Sequence, residues 1–170
     1  MKKVIIIGCP GSGKSTLARA LHEITGLPLV HLDLLFWNAD GTSVPREVFL
    51  RRLEDAMQDD RWIIDGNYHN TMELRLAACD TVIFLDYPQE VCLAGARERR
   101  GKPRPDLPWV EPEGTEDEKE FFDYIRSYER ERRGGVLDLL ARYPQKRIII
   151  LTSRAQADSF LQEIAKNKEK

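Results

Sequence analysis

Residues 4 to 21 read VIIIGCPGSGKSTLARAL, so four branched apolar residues run directly into a segment holding three glycines and then into a helical pattern. Val4 to Ile7 is too short for a helix and rich in β-branched side chains, which predicts a strand buried on both faces. From Lys14 to Thr25 the apolar residues Leu17, Leu21 and Ile24 recur at helical spacing, and Gly26-Leu27-Pro28 ends the run. The segment between strand and helix, Gly8-Cys9-Pro10-Gly11-Ser12-Gly13-Lys14-Ser15, fits the phosphate-loop pattern G-x-x-x-x-G-K-[ST]. Its four fixed positions would coincide by chance in roughly one chain of this length in a hundred or fewer. The strand before and the helix after supply the context that gives the pattern meaning.

Each position has a physical reason. Glycines let consecutive backbone N–H groups approach and ring a phosphate with no Cβ between. The helix that starts near Lys14 aims its positive end at the same point. Lys14 supplies a mobile charge for the β and γ phosphates, and the Ser15 hydroxyl serves magnesium. The segment from Gly8 through Thr16 is therefore the expected ATP-binding element, with Mg2+ as cofactor. A guanine-recognition segment of the form N-K-x-D is absent, which favours ATP over GTP. Cys9 is expected to be a small side chain that fits the loop; a thiol of lowered pKa near a helix N-terminus is the other reading.

The alternation continues along the chain. Leu29 to Leu32 predicts a second strand, Pro45 to Gln58 a helix with Phe49, Leu53 and Ala56 on one side, and Trp62 to Asp65 and Thr81 to Asp86 two further buried strands. Arg147 to Leu151 is the last strand and Gln156 to Lys166 a closing helix. Strands alternating with helices imply a parallel sheet covered on both faces. The rhythm breaks at residues 97 to 120, where Pro103, Pro105, Pro108 and Pro112 interrupt any apolar period; a lid-like insertion at about 99 to 118 is expected. After it, Phe121, Ile125 and Tyr128 mark another helix, with Arg126, Arg130 and Arg133 on a neighbouring face.

A length of 170 residues predicts one domain, and the apolar run after Lys2 and Lys3 is too short for a secretory signal, which needs about 7 to 15 residues. With no membrane-length apolar run, a cytoplasmic protein is expected. Three cysteines without zinc-type spacing point to reduced thiols, and a net charge of -2 gives no global attraction to nucleic acid.

The segments HLDLLFW (31 to 37), WIIDGNY (62 to 68), DTVIFLDYP (80 to 88) and LTSR (151 to 154) together resemble the adenylate-kinase-like proteins known as DNA topology modulation proteins, over nearly the whole chain. The resemblance implies a nucleoside-monophosphate-kinase architecture, with a five-stranded parallel sheet in the order 2-3-1-4-5. It implies that Asp65 holds magnesium through water, with Asp86 as the rival carboxylate. It places Asp33 on the acceptor hydroxyl, where the competing reading is a helix cap. His31 is expected to be a packed side chain. Trp37 either stacks on a planar substrate or packs in the core.

Phosphoryl transfer further needs cations on the equatorial oxygens. The resemblance carries Arg97, Arg100, Arg126 and Arg130 over as that group, and puts Arg154 beside the adenine. The lid lacks the paired aspartates of adenylate kinases and the segment from Leu27 to Asp65 is short, which speaks against AMP as acceptor. Two functions from different classes follow. One is an ATP- and magnesium-dependent kinase for a small-molecule acceptor. The other is a nucleotide-dependent regulatory or DNA-associated protein affecting DNA topology, suggested by the basic segments at 97 to 104 and 130 to 133 and disfavoured by the acidic stretch beside them. The sequence indicates no membrane partner and leaves the oligomeric state open.

Overall fold

The computed structural model describes residues 1–168. Strands β1 (Lys3–Gly8), β2 (Leu29–His31), β3 (Trp62–Asp65), β4 (Thr81–Leu85) and β5 (Arg147–Leu151) form one parallel sheet in the order β2-β3-β1-β4-β5. The helices are α1 (Lys14–Thr25), α2 (Leu32–Phe36), α3 (Arg46–Met57), α4 (Met72–Ala78), α5 (Gln89–Arg99), α6 (Glu116–Tyr128), α7 (Gly134–Ala141) and α8 (Arg154–Lys168). This is the expected α/β architecture and strand order.

Central placement explains why β1 is apolar from Val4 to Ile7. Val4 and Ile6 face one core with Leu21 of α1, Cys92 of α5, Ile125 of α6 and Phe160 of α8. Ile5 and Ile7 face the other with Leu32 of α2, Leu53 of α3, Leu76 of α4 and Leu140 of α7. Truncating Ile5, which is 0% exposed, to alanine would cost about 2–5 kcal/mol. The parallel strands all end on the same edge, where the phosphate loop leaves β1.

Four departures from the sequence pattern bear on that edge. β2 stops at His31, and Asp33 lies in the first turn of α2, because Leu32, Leu35 and Phe36 share a helical face that packs into the second core. The N-cap is His31, with no side-chain cap bond, so Asp33 does not cap this helix. β4 ends at Leu85, which leaves Asp86 just beyond the strand, and α8 begins at Arg154 rather than Gln156. Finally, α7 is absent from the sequence pattern because Gly134 and Gly135 open it, although Val136 and Leu140 are buried.

The lid is irregular from 100 to 115 apart from one bridge between Arg104 and Leu107, yet Arg100, Asp106 and Leu107 are buried. Thr115 ends it by accepting a hydrogen bond from the Glu118 amide at 3.2 Å, while the Glu118 carboxylate accepts from the Gly114 amide. Between α6 and α7 the chain makes a π-helical turn, Glu129–Arg133. Among the described residues no helix is long and apolar enough to cross a membrane.

Candidate active site

A Cβ at Gly11 would lie 2.0 Å from the Cys92 carbonyl oxygen, and one at Gly95 would lie 2.2 Å from the Gly11 carbonyl oxygen. Backbone therefore touches backbone where the phosphate loop rests on α5, and Gly11 also adopts a φ of +81°. Lys14 Nζ donates to the carbonyl oxygens of Gly8 and Cys9 at 3.0 and 3.1 Å, and burial lowers its pKa. The Ser12 hydroxyl is buried without a hydrogen-bond partner. Cys9 is 3% exposed; a hydrogen bond with the Cys92 thiol, and then burial, push its pKa up. Burial and the raised pKa both argue against a reactive thiolate at Cys9.

Asp65 sits beside the loop. Its Oδ2 accepts from Ser15 Oγ at 2.6 Å and its Oδ1 lies 2.5 Å from His31 Nδ1. His31 and Asp65 are register partners on β2 and β3, so His31 is a buried side chain that orients the carboxylate. Asp86 is instead held by Arg133 through two parallel bonds of 2.7 and 2.8 Å. Adjoining Ser15 and Asp65 oxygens suit magnesium, which keeps several waters and takes one or two protein oxygens together with phosphates. Among the described residues no group of three or more His, Cys, Asp or Glu could cage a metal.

Across the same cleft, which encloses about 1000 Å³, stands Asp33. Its Oδ1 accepts from the Tyr68 hydroxyl at 2.7 Å. Desolvation raises the Asp33 pKa; the Tyr68 hydrogen bond opposes this, Asp65 reinforces it, and Lys14 and Arg104 act against it. Trp37, half-buried, lines the cleft with its ring 4.9 Å from Phe36 and 5.8 Å from Trp109.

The arginines divide. Arg100 lines the cleft, 8% exposed, with its guanidinium 4.7 Å from the Phe121 ring centre. Arg154 also lines it, at the start of α8. Arg97, by contrast, is exposed over the Phe122 ring, Arg126 pairs with Asp123 at 2.6 Å, and Arg130 pairs with Glu131 at 2.7 Å; none of the three lines the cleft. The i, i+4, i+7 stripe assumed 3.6 residues per turn, which the π-helical turn breaks.

Arg99 and Arg104 line the cleft in their place. Arg99 lies four residues after Gly95, the position touching the phosphate loop, so the fold rather than the basic run itself sets its face. Lid carboxylates hold these side chains: Glu111 lies 3.4, 3.8 and 3.5 Å from Arg99, Arg100 and Arg104, and Asp106 lies 3.4 and 3.6 Å from Arg19 and Arg104. Sequence patterns gave no sign of these pairings, nor of the contacts made by Asn67, Tyr68 and Arg75.

A parallel 2-3-1-4-5 sheet whose first strand runs into a glycine-rich phosphate loop defines the nucleoside-monophosphate-kinase-like P-loop fold. No family model matches the chain. Among curated proteins it is similar to a shikimate kinase of Bradyrhizobium diazoefficiens, 28% identical over 130 residues that cover 67% of this chain and 61% of the relative. It is similar as well to an adenylate kinase of Thermotoga petrophila, 28% identical over 97 residues, covering 55% of this chain and 43% of the relative. Such matches span 37% to 61% of the relatives' own lengths. Of solved structures, the shikimate kinase from Bacteroides thetaiotaomicron superposes with a TM-score of 0.60 at 20% identity, covering 98% of both chains. The fold is thus the one these P-loop kinases share.

Proposed function

We propose that this chain is an ATP- and magnesium-dependent kinase that transfers the γ-phosphoryl group to a hydroxyl of a small molecule. One observation carries the reading: Lys14, the Ser15–Asp65 pair and Asp33 line a single cleft beneath lid arginines. The loop amides and Lys14 hold the donor phosphates. Ser15 and Asp65 would hold magnesium, whose charge offsets that of the β and γ oxygens. Asp33 takes the proton of the attacking acceptor oxygen while the bond between γ phosphorus and the β–γ bridging oxygen breaks. A base with a raised pKa suits that task near neutral pH. Arg99, Arg100 and Arg104 are the cations for the equatorial oxygens, and the lid excludes water from them.

Shikimate and adenylate kinases among the relatives support a small-molecule acceptor without naming one. The described residues are read as one P-loop kinase domain with the lid-like insertion at about 99 to 118. Within the basic segments that suggested a DNA-associated role, the narrower implication of the topology modulation resemblance, Arg100 pairs with Glu111, Arg130 with Glu131 and Arg133 with Asp86, while Arg97, Lys102 and Arg132 make no ion pair among the described residues. ADP release from ATP and magnesium, with pooled nucleosides, nucleotides, sugars, polyols and hydroxy acids, tests the proposal. Stimulation by one pool is expected; a panel that stimulates nothing overturns it.

A further inference from the structure

Arg75 of α4 is fully buried, at 0% exposure, and makes no ion pair among the described residues. Its Nη1 donates to the Gly66 carbonyl at 2.8 Å, and its Nη2 to the carbonyls of Asn67 and of Tyr68, the latter at 3.2 Å. Burial pulls its pKa down to about 10, which leaves it charged at neutral pH. An uncompensated buried charge is costly, and an aliphatic side chain could fill the same space. What the guanidinium supplies instead is a planar fork that grips three consecutive carbonyl groups.

The turn it grips is strained and carries polar contacts on both sides. Tyr68 sits at φ 36°, the one non-glycine residue with positive φ among those described. Its hydroxyl donates to Asp33. The Asn67 side chain clasps the first residue of the phosphate loop twice, accepting from the Gly8 amide at 3.1 Å and donating to the Gly8 carbonyl at 2.8 Å. Donor loop and acceptor carboxylate are thus both tied to one turn, and Arg75 does not itself line the cleft.

We infer that Arg75 is a positioning residue, fixing the Gly66–Tyr68 turn so that Tyr68 orients the Asp33 carboxylate while Asn67 braces the phosphate loop. The kinase reading gives this its purpose, but the geometry can be tested without turnover. The test is a 13C NMR titration of the Asp33 carboxyl in wild type, Tyr68→Phe, Arg75→Met and Arg75→Lys, run beside kcat and KM. Lys14 and Arg104 are the cations that lower the Asp33 pKa, and Arg75→Lys, which keeps the charge, separates loss of the grip from loss of the charge.

Tyr68→Phe removes a hydrogen bond that lowers the Asp33 pKa, so its titration moves upward. Arg75→Met is expected to move it the same way and to lower kcat by roughly tenfold to a hundredfold, as displacement of a reacting group by about 1 Å does. Arg75→Lys keeps the charge but grips fewer carbonyls, so it falls between the two, and it carries the test if Arg75→Met does not fold. A folded Arg75 variant with wild-type Asp33 titration and kcat overturns the inference and leaves a purely structural arginine. Wild type that shows no acceptor-stimulated turnover would instead overturn the kinase reading, and the titration would still decide the role of the turn.

Discussion

The strand-end platform and the lid face each other across one cleft and are held by opposite means. On the platform, backbone contacts and hydrogen bonds hold the main groups: Gly11 against Cys92 and Gly95, Asp65 between Ser15 and His31, Asn67 on Gly8. In the lid, Glu111 and Asp106 gather the arginines through contacts of 3.4 to 3.8 Å, without regular secondary structure between 100 and 115. Close-packed backbone has one arrangement, whereas charges exchange partners when a stronger anion arrives. On the kinase reading, the platform is set before substrate binds and the lid trades carboxylates for phosphates.

Substitutions can break that contrast. The largest effect belongs to Lys14→Ala, which removes the cation nearest the loop carbonyls and is expected to lower kcat/KM on the order of a thousandfold, read by steady-state kinetics. Gly11→Ala adds a Cβ 2.0 Å from backbone at a positive φ, so it should destabilise the fold by about 1–3 kcal/mol in urea denaturation. A rise in stability there would mean the loop is not pressed onto α5.

Asp33 sharpens the contrast through pH. Its pKa is raised in the native state, so the native protein binds that proton more readily than the unfolded chain does. The stabilising share is complete below the ordinary carboxylate pKa and is lost as pH rises through the native value. Asp33→Asn should therefore be at least as stable as wild type at pH 8 while losing activity, and comparison of urea midpoints at pH 5 and pH 8 checks this. In the lid, Glu111→Gln weakens one partner of three arginines and should tighten ATP binding a few-fold at low salt, an effect that shrinks as salt screens it. Unchanged affinity at every ionic strength would show that the lid arginines do not exchange partners.

The same contrast governs what could be read from the chain. The phosphate loop and the five strands were legible because backbone geometry leaves fixed spacings of glycine, lysine and β-branched residues, whereas Asp33 and Asp65 stand out only through the family resemblance. The resemblance offers Arg97 where the fold places Arg99, because a basic run shows no preferred face until the helix is phased against its Gly95 contact. Arg75, inside MELRLAA, reads as a solvated helix charge, and only its burial shows otherwise. Tyr68 stood in the IIDGNY segment without a role, since its contact with Asp33 joins residues 35 apart. Lid pairings were illegible for the same reason, because every arginine there has several acidic neighbours in sequence.

The most direct measurement compares Lys14→Ala and Asp33→Ala with wild type for ATP affinity by calorimetry and for acceptor-stimulated ADP release in the same preparation. The kinase account predicts that Lys14→Ala loses both, while Asp33→Ala still binds ATP and loses only the acceptor-stimulated turnover. An Asp33→Ala protein that releases ADP at the wild-type rate, with or without acceptor, would contradict it.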